Sequence, residues 1–319
     1  MMNSDGVRFT WLLRWALFVA LVLPLDVRTA RAETADEKAG AELKIPPPEE
    51  VFLKAKDGLS LHAIYYPGAP RKGKNQKDSV PVILLHAYNG DCHDFDDLAE
   101  LLQKQGHAVV TPDLRGHGES KEMLRDGREE KLETSSLRTA DFGDMWTYDL
   151  EAVKSFLIGK NNAGELNIDK LCVVGAEMGA IVGANWASLD WSWPVLSNGK
   201  QGQDVKALVM ISPQSNFKGV KLIDAVSSPD VRSELAVMLI AGRKNSRSAD
   251  EVNKLYKHFM KYHVEKTSPV VELLLPETKL QSTKLLGEKS LGVEAAILKF
   301  VDGLVAKPYP WAERRSALE

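Results

Sequence analysis

The segment Lys170-Leu171-Cys172-Val173-Val174-Gly175-Ala176-Glu177-Met178-Gly179-Ala180 constrains the fold more than any other part of the chain. An apolar run of strand type enters Gly-x-Glu-x-Gly and leaves through Ile181-Val182-Gly183-Ala184-Asn185-Trp186-Ala187, a stretch of helical type. A strand that turns sharply into a helix brings backbones closer than a Cβ allows, which is why glycine stands on both sides. The residue between them is strained, and it presents its side chain at the carboxyl end of the sheet. Here that residue is Glu177.

The surrounding pattern alternates. Val51 to Ala55 and Leu59 to Tyr66 flank Asp57-Gly58, a hairpin signature. Val80 to Leu85 is continuously apolar, as expected of a strand buried on both faces. Further strands are expected at His107 to Pro112, Val205 to Ser212, Leu235 to Ala241 and Val270 to Leu275. Helical spacing covers Phe95 to Gln105, Met145 to Ile158 and the last amphipathic stretch through Val293, Ile297, Phe300, Val301 and Leu304. Ser248-Ala249-Asp250-Glu251 reads as a capping box opening a helix towards Met260. Glu119 to Asp141 is charged and without period, and Asn216 to Val231 is too short for a separate cap domain. Strands separated by helical spans imply a mostly parallel central sheet with helices on both faces and an antiparallel N-terminal hairpin.

Several motifs in order resemble the α/β-hydrolase fold superfamily, in its serine esterase and lysophospholipase-like branch. The Gly175-to-Gly179 turn is similar to that family's nucleophile elbow, which normally reads Gly-x-Ser-x-Gly. His86-Ala87-Tyr88-Asn89-Gly90 resembles its oxyanion-hole turn. The resemblance implies paired backbone N–H donors from Tyr88 and Met178. Asp113-Leu114-Arg115-Gly116-His117-Gly118-Glu119-Ser120 looks like the loop signature after the next strand, whose His and Arg brace the turn.

The departures fall on the catalytic seats. Glu177 replaces the serine, Asn245 in Gly242-Arg243-Lys244-Asn245 holds the acid position, and Gln281 falls where the histidine is expected. No histidine follows His263, so a slip of one residue in the last match changes nothing. A carboxylate nucleophile needs no deprotonation, but releasing its covalent product needs a base to activate water. Members with Asp at the elbow always have that base. Glu is one methylene longer and overshoots the attack position. His86 is the one candidate for a surviving base, although the resemblance gives it a structural role. A carboxylate at a helix N-terminus also needs no chemical explanation, since the dipole favours it by roughly 0.3–1 kcal/mol. The expected function is therefore that of a pseudo-hydrolase, binding a small apolar or ester-like ligand or a protein partner. An ester hydrolase built on Glu177 is the alternative.

The first residues read as a targeting segment. Arg8 and Arg14 precede an apolar core from Trp15 to Leu25, and Ala30-Arg31-Ala32 offers a cleavage site. Residues 1–32 are thus expected to be a signal peptide, 33–49 a flexible proline-containing linker, 50–307 the α/β-hydrolase domain that the resemblance implies and 308–319 a C-terminal tail. Export to a periplasm or beyond follows, with an N-terminal anchor as the alternative; no membrane-spanning helix is expected in the mature chain. A net charge of -3 suggests neither nucleic acid nor an anionic membrane as a partner. Cys172 reads as a buried thiol, and a bond to Cys92 stays open. His93 among Asp91, Asp94, Asp96 and Asp97 reads as a solvated helix start, so no metal and no cofactor are expected.

Overall fold

The computed structural model describes residues 44–196, 199–263 and 269–314. The signal-peptide expectation and most of the linker lie outside them. Alternating residues on both sides of Asp57-Gly58 form the expected hairpin, β1 (Glu49–Lys54) against β2 (Ser60–Tyr66). Gly58 turns at φ 95°, and a Cβ there would lie 2.0 Å from the Leu124 carbonyl oxygen.

The remaining strands of the main sheet are β3 (Pro81–Leu85), β4 (Ala108–Pro112), β7 (Leu171–Ala176), β8 (Val205–Ile211), β11 (Ala236–Ile240) and β12 (Val271–Leu274). The order across the sheet is β1-β2-β4-β3-β7-β8-β11-β12. β2 runs antiparallel to β4, and all pairs from β4 to β12 are parallel. Successive residues of the central strands feed two cores. Ile83, Leu85, Val173 and Leu208 face one, while Val82, Leu84, Cys172, Val174 and Val209 face the other. This two-sided burial explains the uninterrupted apolar runs.

Helices cover both faces: α1 (Asp96–Lys104), α2 (Thr139–Asp144), α3 (Leu150–Asn162), α4 (Met178–Ser192), α5 (Leu222–Val226), α6 (Pro229–Glu234), α7 (Ser246–Met260) and α8 (Val293–Val305). α4 buries Met178, Ile181, Val182 and Trp186 all round, as the first core requires of a central helix. Among the described residues no helix is long and apolar enough to cross a membrane.

Four expectations change. The charged stretch Glu119 to Asp141 contains a two-stranded ribbon, β5 (Glu122–Arg125) with β6 (Arg128–Lys131), turning through Asp126-Gly127. Its strands are exposed apart from Met123, so no alternating pattern marks them. A second small ribbon, β9 (Asn216–Phe217) with β10 (Val220–Lys221), occupies the short lid segment. α7 starts before the capping box, because Asn245 and not Ser248 caps it: the Asn245 Oδ1 accepts the Ser248 N–H at 3.3 Å. Finally, the C-terminal segment up to Arg314 is docked and not a free tail. The Trp311 indole donates to the Asn161 carbonyl, and the Arg314 guanidinium, 5% exposed, bonds Asp204. Asp204 also pairs with Lys154, itself held by Asp190, so Arg314 completes a buried charge cluster.

Candidate active site

The elbow forms as its glycines require. Glu177 sits between β7 and α4 at φ 47°, ψ −104°, and its N–H donates to the Ile211 carbonyl at 2.9 Å. A Cβ on Gly175 would lie 2.4 Å from the Gly179 carbonyl, and one on Gly179 would lie 2.2 Å from the Leu85 carbonyl oxygen. The turn after β3 therefore packs directly on the start of α4, which brings the Tyr88 and Met178 segments together.

His86 holds that turn. Its Nδ1–H donates to the Ala87 carbonyl at 2.7 Å, and its Nε2 accepts the Leu114 N–H at 3.0 Å. The Ala87 carbonyl also accepts the Gly90 N–H at 2.9 Å. In a trans peptide the N–H points opposite to the C=O, so these bonds also fix the Tyr88 N–H. Burial, helped by the neighbouring His117 ring, pushes the His86 pKa down to about 4. A neutral imidazole with both nitrogens occupied has no lone pair to offer a substrate.

The Asp-x-Arg-Gly-His-Gly loop is braced by its own side chains. Arg115, 1% exposed, grips Asp149 through Nη2 at 2.6 Å and reaches Asp57 at 2.9 Å and Asp144 at 3.1 Å. His117 stacks on His86 at 4.8 Å, and its nitrogens meet the carbonyls of Tyr88 at 2.7 Å and Arg115 at 3.0 Å. Asp113 receives the N–H groups of Cys92 at 2.7 Å and Glu119 at 3.0 Å, and Gly118 at φ 43° leaves no room for a Cβ beside that carboxylate.

Glu177, Asn245 and Gln281 do not converge on one another. Glu177 is half-buried; desolvation raises its pKa, and the Ser282 hydroxyl pulls the other way. The loop after β12 thus brings Ser282 to the elbow, not Gln281. Ser282 adopts φ 58° and donates its N–H to the Ser212 Oγ at 3.0 Å. Gln281 turns to Gly242, with both side-chain polar atoms buried and unpartnered among the described residues. Asn245 is spent on capping α7.

Beside Met178, aromatic side chains pack closely. Phe217 packs 5.1 Å from Tyr88 and 5.4 Å from Phe142, and the Lys218 ammonium lies 4.0 Å over the Tyr88 ring. The Tyr88 hydroxyl donates to the Thr134 carbonyl at 2.7 Å. Phe142, Trp146, Met178, Ile181, Val182, Phe217 and Val220 leave no volume there for a water molecule. Ser282 and the Lys218 clamp carry no sequence signal, because each depends on a loop conformation. The remaining histidines are engaged away from the elbow: His62 with Asp113 and Glu50, His93 with Asp96, His107 with Asp302, His258 with the Val226 carbonyl, and His263 with the Pro269 carbonyl.

A family model described as the alpha/beta hydrolase fold matches residues 80–245. No curated protein matches the sequence. Among solved structures, the chain is similar to a hyperthermophilic esterase from Pyrobaculum calidifontis, at 16% identity and TM-score 0.56 over 83% of this chain and 86% of that one. It is similar to the esterase LipW from Mycobacterium marinum at 15% identity and TM-score 0.54, over 83% of this chain and 82% of that one. A dienelactone hydrolase from Anabaena variabilis shares 17% identity at TM-score 0.50, over 81% of this chain and 96% of that one. At such identities the likeness establishes the fold alone.

Proposed function

The chain belongs to the α/β-hydrolase fold family, and from that premise we propose that it is an exported, non-catalytic member that acts by binding a ligand or a protein partner. The observation that carries this reading is the fate of the imidazoles. All seven histidines are committed elsewhere, and the seat facing Glu177 holds a serine hydroxyl that does not titrate near neutrality. Without a base to activate water, a captured acyl group stays on the enzyme. The aromatic packing beside Met178 supports the same reading, since an acyl chain finds no space there. The test is a series of p-nitrophenyl esters of increasing chain length, offered to the wild type and to Glu177→Ala. Both should match the buffer rate; turnover that Glu177→Ala abolishes refutes the proposal.

One observation favours a second reading, an ester hydrolase built on Glu177. Glu177 and Ser282 both keep positive φ, and a half-buried carboxylate of raised pKa beside a hydroxyl forms a base–nucleophile pair in outline. Under it, Glu177→Gln and Ser282→Ala each remove an esterase activity that the wild type must first display.

A further inference from the structure

Away from the elbow, β2, the loop after β3 and the end of β4 bring His62, Cys92 and Asp113 together. His62 comes from β2, Cys92 from the loop after β3, and Asp113 from the residue following β4. All are buried, at 3%, 3% and 1% exposure, and their ligand atoms lie within 4.8 Å of one another. We propose that this cluster is a binding site for a divalent cation of the zinc type, with the His62 Nδ1, the Cys92 Sγ and an Asp113 carboxylate oxygen as ligands.

The donor set comes first. One imidazole, one thiolate and one carboxylate are the three ligand types that zinc accepts, and a thiolate disfavours the hard cations calcium and magnesium. Spacing is the second point. Zinc bonds of about 2.0–2.3 Å at tetrahedral angles place donors roughly 3.3–3.7 Å apart. The His62 Nδ1 lies 3.9 Å from the Cys92 Sγ and 2.8 Å from the Asp113 Oδ2, so the first pair must close by a few tenths of an ångström and the second must open by about half an ångström.

Orientation is third. The other ring nitrogen, Nε2, faces the Glu50 carboxylate at 3.0 Å. That carboxylate–imidazole contact is the outer-shell arrangement that fixes a ligating histidine with its proton on the far nitrogen. The frame is also set in advance: the Cys92 N–H donates to Asp113 Oδ1, and the His62 N–H donates to the Ser120 Oγ at 2.8 Å.

Charge is fourth. Both His62 ring nitrogens face carboxylates, Asp113 on one side and Glu50 on the other, so a dication at Nδ1 is bound among acidic groups. Three protein ligands leave a fourth position for water.

The test uses the whole mature protein, stripped with a chelator and dialysed against zinc(II) or cobalt(II). The expected result is uptake of one metal per chain, with a cobalt form showing intense tetrahedral d–d bands and a thiolate-to-cobalt charge-transfer band. Cys92→Ser should abolish the charge-transfer band. Glu50→Gln, on a largely exposed side chain that does not endanger folding, should weaken zinc binding 10–100-fold. Sub-stoichiometric uptake, a cobalt spectrum without the thiolate band, or zinc affinity unchanged in both variants overturns the proposal. Octahedral cobalt alone would mean adventitious surface chelation, which also overturns it.

Discussion

Truncating Phe142 separates a closed cleft from an open one. This ring is 1% exposed, lies edge-on to Phe217 at 5.4 Å, and shares its pocket with Trp146, Met178 and Ile181. Phe142→Ala removes a fully buried phenyl group, which costs about 3–5 kcal/mol when the surroundings do not collapse. At about 2 °C per kcal/mol for a domain of this size, the melting temperature should fall by roughly 6–10 °C. The space left is on the order of 100–150 Å³, dry, and of the size that takes up benzene. Saturating the variant with benzene or a small phenyl ester at about a hundred times its Kd should restore roughly 2.7 kcal/mol. Differential scanning calorimetry with and without the aromatic compound reads both effects. The wild type, having no volume to fill beside Met178, should not respond. An equal ligand-induced shift in the wild type would refute the reasoning, because the cleft would then already be open.

Three further outcomes follow from the same geometry. Burial raises the Glu177 pKa, so the folded state holds that proton more tightly than the unfolded chain and ionisation destabilises the fold. Urea midpoints of Glu177→Gln and wild type should therefore agree below the unfolded carboxyl range, near pH 4, and diverge in favour of the variant as pH rises through the folded value. A difference constant across pH contradicts this. Asn245→Ala should cost about 1 kcal/mol through loss of the α7 cap, while Asn245→Asp should stay close to wild type in thermal melts. Lys154→Met should lose about 3–5 kcal/mol in chemical denaturation, because it removes the cation paired with the buried Asp190, whose carboxylate keeps the Asp204 and Val205 N–H donors, and leaves Asp204 to Arg314 and Lys200. A near-neutral result would mean that the cluster is hydrated.

Several parts of the molecule were legible before any coordinates. The hairpin at Asp57-Gly58, the doubly buried strands and the elbow glycines each have local causes, namely turn chemistry, two-sided burial and a backbone approach too close for a Cβ. The loop signature around Arg115 was legible too, although its partner Asp149 lies 34 residues away and no pattern announced it. The exposed β5–β6 ribbon carries no sequence signal, because strands without a buried face lack the period-2 pattern. The expected match at Gln281 moved to Ser282 because a loop's register is decided by what it packs on, here Gly242 and Ser212.

By itself the sequence determined the strands of the main sheet in their chain order, the strained turn at Glu177 and the presence of Glu, not Ser, at its centre. These properties are written in neighbouring residues, where steric fit and hydrophobic period act over a few positions. Only the tertiary structure decided that Ser282 faces Glu177, that Phe142 and Phe217 close the space beside Met178, and that His62 meets Cys92 and Asp113. Such contacts join side chains tens of residues apart, and they follow from how the strand ends are ordered across the sheet rather than from any local preference.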